Sequence, residues 1–207
     1  MLRFNQQHVD QWREDGFCVI DDFFTTMEIA PLLDDYERLY PAQPEGSREA
    51  VYLDRKAEDY SAARRSQFVN IHSLPYDGSV ELNLISLHPA LIDFARALLG
   101  VKEVHCYQSH TWAKFTGLTD YEQEFHCDFH NHTLTVPSDD HAARTVDFVF
   151  YLTDVTEKNG ALRYVTKPDV IKAIGRPALA AHSDEEQESL RRYERKVEVS
   201  AGGLVAH

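Results

Sequence analysis

The sequence predicts an α+β chain, mainly β with flanking helices. Apolar residues at helical spacing fill the first hundred positions, and short runs rich in β-branched and aromatic residues take over from Val104. Neither an internal repeat nor a low-complexity linker divides the 207 residues, so residues 1–207 are expected to form a single domain.

The elements follow in order. Residues 5 to 14 carry helical spacing and stop at Gly16, a residue suited to a left-handed C-terminal cap. Phe17-Cys18-Val19-Ile20 is a short apolar strand. Thr25 or Thr26 caps a second helix to about Tyr40, with Ile29, Leu32, Leu33, Tyr36 and Leu39 on its apolar face and Pro41 and Pro44 ending it. Residues 41 to 80 are polar and irregular, a surface excursion. After His88-Pro89 a third helix shows Leu91, Ile92, Phe94, Ala95, Leu98 and Leu99 on one side, and Gly100 closes it. Strands are expected at Val104 to Phe115, Arg144 to Leu152, Ala161 to Val165, Val197 to Val199 and Leu204 to Ala206. A charged helix, about Ser183 to Glu194, interrupts them like an insertion.

Composition narrows the function classes. A net charge of −13 gives no means of releasing counterions from a phosphate backbone, so nucleic acid is not expected as a partner. The small basic pairs Arg64-Arg65 and Arg191-Arg192 have acids nearby and read as solvated surface. No run of apolar residues approaches the roughly 18 that a membrane span needs, and the first residues show no signal core. Cys18, Cys106 and Cys127 form no C-x-x-C pair and no disulfide framework. A reducing cytoplasm is the compartment these features lead one to expect. Oligomeric state is not legible.

Phe125-His126-Cys127-Asp128-Phe129-His130-Asn131-His132 carries the chemistry. On a strand, alternate residues share a face, so His126 and Asp128 would point together and Cys127 away. One imidazole and one carboxylate on one face supply two ligands of a 2-His-1-carboxylate triad, which leaves three positions of a non-haem Fe(II) open. A bare H-x-D is also a common accident, and such a histidine is more often surface or hydrogen-bonded core. His130 and His132 continue the same parity, which keeps zinc on a histidine-rich strand as a rival. Zinc would prefer a closed tetrahedron, and Cys127 faces the wrong way to complete one.

Several blocks in order then resemble the phytanoyl-CoA dioxygenase family. Asp15-Gly16-Phe17-Cys18-Val19-Ile20-Asp21-Asp22-Phe23-Phe24 is similar to its opening element, and Gln108-Ser109-His110-Thr111-Trp112-Ala113-Lys114 to the strand before the metal motif. Phe125-His126-Cys127-Asp128 matches the H-x-D step, and Phe148 to Arg163, through Asn159-Gly160, resembles the block that follows it. The resemblance implies a double-stranded β-helix (a jelly roll, cupin-like). It also implies a Fe(II)- and 2-oxoglutarate-dependent dioxygenase that hydroxylates a small molecule and releases succinate and CO2. Within it His126 and Asp128 are metal ligands and catalytic residues, and Gln108 and Lys114 are candidates to contact 2-oxoglutarate. An exposed strand residue is the equal alternative for Lys114. Asn159-Gly160 is a turn signal, so Tyr151 and Leu162 are expected on neighbouring strands.

Two departures bear on the outcome. Tyr164-Val165-Thr166-Lys167-Pro168-Asp169 stands where the family has a Pro-Gly-Ser-His turn, so a relative's substrate does not transfer. Glu198 to His207 resembles the strand-turn-strand that leads to the distal histidine, but in that register His207 arrives too early. No residue remains for the arginine that binds the far carboxylate of 2-oxoglutarate, so a truncated product or fragment is expected. His207 is then a third metal ligand only if the register slips, and otherwise a solvated terminal residue. Two other classes stay open: a catalytically incomplete jelly-roll metal-binding module, and a cupin-like metalloenzyme without 2-oxoglutarate in which His130 or His132 would be essential.

Overall fold

A computed structural model of the chain describes residues 2–41, 52–53, 71–113, 120–121, 123–128, 145–178 and 181–207. Asn5 caps α1 (Gln6–Asp15), accepting from the His8 N–H at 3.2 Å, and Gly16 ends the helix with φ 91°. β1 (Cys18–Ile20) follows at once. α2 (Thr26–Leu39) opens where Glu28 accepts from the Thr25 N–H at 2.8 Å. Arg3 clamps the same carboxylate with both guanidinium nitrogens, at 2.6 and 2.8 Å.

One face of α2 departs from its expected make-up. Leu33 is exposed, whereas Asp35 is buried. The Asp35 carboxylate accepts from the Ser79 N–H at 3.0 Å and from Arg38 at 2.8 Å, so a buried charge is paired rather than stranded. Spacing alone marks which side of a helix turns inward; it does not show that a neighbouring N–H will call for a carboxylate there.

The short elements β2 (Tyr52–Leu53) and β3 (His72–Ser73) precede two helices, α3 (Val80–Ile85) and α4 (Pro89–Leu99). α3 was not legible as a helix, being six residues at the end of the polar stretch. By length and mean hydropathy the stretch Val80–Leu99 passes for a membrane span, although polar and charged residues interrupt its apolar ones. It is broken at 86–88, however, and sends Leu82, Ile85, Leu91, Phe94 and Leu98 into the core.

Beyond α4 come β4 (His110–Thr111), β5 (Asp120–Tyr121), β6 (Phe148–Phe150) and β7 (Leu162–Tyr164). α5 (Lys167–Ile174), α6 (Asp184–Arg191), β8 (Arg195–Val197) and β9 (Leu204–Ala206) complete the order. The long strand expected over Val104 to Phe115 is reduced, in its described part, to β4. α5 was unexpected: Thr166 caps it and Pro168 stands in its first turn, so the stretch that replaces the family's turn is a helix start.

Pairing gives several small sheets. β9 lies between β1 and β6, antiparallel to both, with Val205 opposite Val19 and Val149. β7 pairs with β8, β3 with β4, and β2 runs parallel to β5. Tyr151 and Leu162 are therefore not on neighbouring strands: the chain beyond β6 makes a short 3-10 turn at Glu157–Asn159, and β7 takes β8 as its partner. The turn signal was sound, but it did not close a hairpin.

The central sheet separates two apolar clusters. Leu204 and Ala206 of β9 face the helices with Cys18, Ile20, Phe148, Phe150, Phe23, Phe24, Leu32 and Phe94. Val205 faces the other way, with Phe17, Val197 and Val199 and against Val19, Tyr151 and Tyr164. Alternation along a three-residue strand, all of it 0% exposed, thus serves two cores at once. The turn before β9 needs Gly202: its φ is 88°, and a Cβ there would lie 2.3 Å from the Phe24 carbonyl oxygen.

Candidate metal centre

The face of the sheet that carries Val205 also carries the site. β6 and β9 each extend by one residue, and Asp147 and His207 exchange both backbone hydrogen bonds at 2.9 Å. Directly opposed residues of an antiparallel pair send their side chains to the same side, so Asp147 and His207 look out together. Of the two places expected for His207, metal ligand or solvated terminus, the ladder rules against the second by holding its backbone.

Asp128 arrives from a different part of the chain. Residues 123–127 have irregular backbone, so the strand alternation expected for His126 and Asp128 does not apply. The two side chains meet nonetheless: His126 Nε2 lies 2.9 Å from Asp128 Oδ1. The other carboxylate oxygen, Oδ2, is 3.3 Å from His207 Nε2. Asp128, Asp147 and His207 each bring a ligand atom within 4.8 Å of the others, all three half-buried. Asp128 is thus common to two groupings, one completed by His126 and one by Asp147.

The orientation of both imidazoles is set from outside the cluster. His126 Nδ1 is 2.8 Å from the Glu124 carbonyl oxygen, which only accepts, so Nδ1 carries the proton. Its Nε2 then either holds a second proton or offers a lone pair. His207 Nδ1 is 2.9 Å from the Tyr164 hydroxyl on β7. Burial pushes that phenol well above its ordinary range, so it stays protonated. The hydrogen bond from His126, followed by that from His207, holds the Asp128 carboxyl well below the usual carboxylate range against the opposing effect of burial.

This donor set suits a divalent cation. Asp128, Asp147 and His207 offer ligand atoms that all lie within 4.8 Å of one another, and His126 Nε2 reaches the same carboxylate at 2.9 Å from Oδ1. Each histidine has its second nitrogen fixed by a partner, as ligand histidines do.

Other expected residues lie elsewhere. The Gln108 side chain is exposed, just ahead of β4, and no hydrogen bond joins it to the cluster among the described residues. Lys114, His130, His132 and the Arg64-Arg65 pair fall outside the described residues. Asp147 and Tyr164 were not singled out from the sequence. Nothing in their local pattern marks them, because a strand register and a sheet-to-sheet contact bring them in.

Comparisons with known proteins bear on the family and the fold. The sequence profile of the family phytanoyl-CoA dioxygenase (PhyH) matches residues 12–207. The ectoine dioxygenase of Bordetella parapertussis is 31% identical over 160 residues, covering 76% of this chain and 47% of that protein. The ectoine dioxygenase of Bordetella bronchiseptica gives the same figures, so the chain spans about half the length of the curated relatives it matches. Among solved structures, EctD from S. alaskensis with 2-oxoglutarate and 5-hydroxyectoine aligns with TM-score 0.65 at 20% identity, over 99% of this chain and 67% of that one. SnoK, a non-heme alpha ketoglutarate dependent carbocyclase from nogalamycin biosynthesis, aligns with TM-score 0.64 at 20% identity, over 99% and 74%. At that identity the two structures show a shared fold.

Proposed function

The chain belongs to the phytanoyl-CoA dioxygenase family, and from that membership we propose a non-haem Fe(II)- and 2-oxoglutarate-dependent dioxygenase acting on a small molecule. His126, Asp128 and His207 would hold the iron. The observation that carries this reading is the convergence of two imidazole Nε2 atoms on the two oxygens of one carboxylate, with His207 reaching Asp128 across 79 residues of sequence. When bound, Fe(II) would let dioxygen react, with one oxygen atom passing to 2-oxoglutarate as it loses CO2 to become succinate and the other entering a substrate C–H bond as the hydroxyl.

The chain's own residues prepare the place. Asp128 stays ionised at neutral pH, and Glu124 and Tyr164 fix which nitrogen of each histidine faces it. Val199 and Val205, buried beside Tyr164, exclude water from one side. Gln108 and Lys114 remain in this reading as the residues that contact 2-oxoglutarate. The reading includes the double-stranded β-helix expected of the family, supported by the central sheet, the β7–β8 pair and an isolated Val155–Val199 bridge between the segments that follow β6 and β8. The reading takes residues 1–207 as one domain and places it in the cytoplasm, in keeping with three cysteines outside any disulfide.

Anaerobic addition of Fe(II) and 2-oxoglutarate to the purified chain tests this. A visible charge-transfer band that is lost in His126→Ala and Asp128→Ala is the expected result. A folded protein that shows no band, or a band that survives both substitutions, would overturn it.

A further inference from the structure

α6 carries Asp184, Glu185 and Glu186 in its first turn and has the look of an inserted, solvated segment. One of its polar side chains is nonetheless buried: Gln187 is 1% exposed. Its Nε2 donates to the Phe125 carbonyl at 2.9 Å, and its Oε1 accepts from the Phe125 N–H at 2.9 Å. A primary amide that binds both backbone groups of one residue does what a paired strand would do. Residues 123–127 have irregular backbone, and this amide gives Phe125 the two backbone hydrogen bonds that a ladder would. The Phe125 carbonyl and the His126 nitrogen belong to one peptide plane, so holding that carbonyl sets the plane from which the His126 side chain departs.

The helix that carries Gln187 is itself braced. Ser183 and Glu186 cap it reciprocally at 3.0 and 3.3 Å, Arg176 at the end of α5 pairs with Glu186 at 2.6 Å, and Leu190 is buried one turn on.

We propose that Gln187 is a positioning residue of the metal centre, whose amide holds the Phe125–His126 peptide plane so that His126 Nε2 meets Asp128 before a cation binds. This rests on reading His126 and Asp128 as metal ligands.

Co(II) alone is the probe, followed by visible absorption and calorimetry in the wild type, Gln187→Met, Leu190→Ala and Asp128→Ala. Gln187→Met keeps the volume and removes both hydrogen bonds. It is expected to weaken Co(II) binding about tenfold or more and to change the ligand-field spectrum. Leu190→Ala, which loosens the same helix through its core contact, is expected to lower Tm and leave Co(II) affinity unchanged. Hydrogen exchange on the metal-free wild type adds a readout that needs no variant: the Phe125 amide should be protected. Gln187→Met binding within about twofold of wild type, equal weakening by Leu190→Ala, or an unprotected Phe125 amide would each overturn the role of Gln187 and leave the metal reading intact. A wild type that fails to bind Co(II), or binding that survives Asp128→Ala, would sink the metal reading itself.

Discussion

The two faces of the central sheet are built from the same three strands, yet they do opposite work. On the helix side, Leu204, Ala206, Cys18 and Ile20 meet Phe23, Phe24 and Phe94 in a closed apolar layer. Its cysteine is kept neutral there, the Cys18 thiol pushed up to about 12 by burial. On the other side, the next residue along β9 and the one after β9 are Val205 and His207, and the register sets Asp147 beside His207 with Asp128 arriving from a loop. Burial on that face is partial, and hydrogen bonds hold a carboxylate in its charged form. One face therefore supplies stability through area, and the other holds a charged site through geometry.

The largest effect should come from the helix side. Phe94 is 0% exposed and stacks on Phe4 and Phe148 at 4.7 and 5.7 Å. Phe94→Ala is expected to cost about 3–5 kcal/mol in urea unfolding. Metal affinity of the protein that remains folded should be unaltered. A parallel loss of affinity would show that the two faces are not separable.

Tyr164→Phe sharpens the contrast from the other side. It removes only the hydroxyl beside His207 Nδ1 and keeps the ring stacked on Phe17. Metal affinity should fall about tenfold, with no more than about 1.5 kcal/mol lost in stability. The reverse pattern would make Tyr164 a core residue that happens to touch a histidine.

The smallest effect lies at the rim of the helical layer and depends on pH. The Arg3 guanidinium, as the first cause, holds the Glu28 carboxyl down to about 2. A folded-state pKa below the unfolded value near 4.5 gives stability that is present above about pH 4.5 and is lost as pH falls towards 2. Glu28→Gln should thus lose about 1 kcal/mol at neutral pH. Its stability should then change less between pH 5 and pH 2 than the wild type's, which denaturant melts across that range would show. Equal slopes would place the acid sensitivity elsewhere, with Asp128 first to be examined.

Much of the frame could be read from residue order. α1, α2, α4 and α6 stand near their expected places because apolar spacing and capping residues act within one or two turns. The H-x-D step was visible for a weaker reason: the two residues were expected to meet through strand alternation, and they meet through irregular backbone instead. Leu33 and Asp35 show the same limit on α2, where the inward face was legible and its occupant was not.

By itself, the sequence determined α1, α2, α4 and α6, the family and the candidate pair His126 and Asp128, since these rest on local spacing and ordered motifs. Only the tertiary structure decided that His207 reaches Asp128 across 79 residues, that Asp147 shares its face and that Gln187 holds the Phe125 backbone across 62. Those contacts follow from strand register and helix docking. Both are settled by which long-range pairing buries the most apolar surface with every polar group satisfied, and no local window of residues contains that balance.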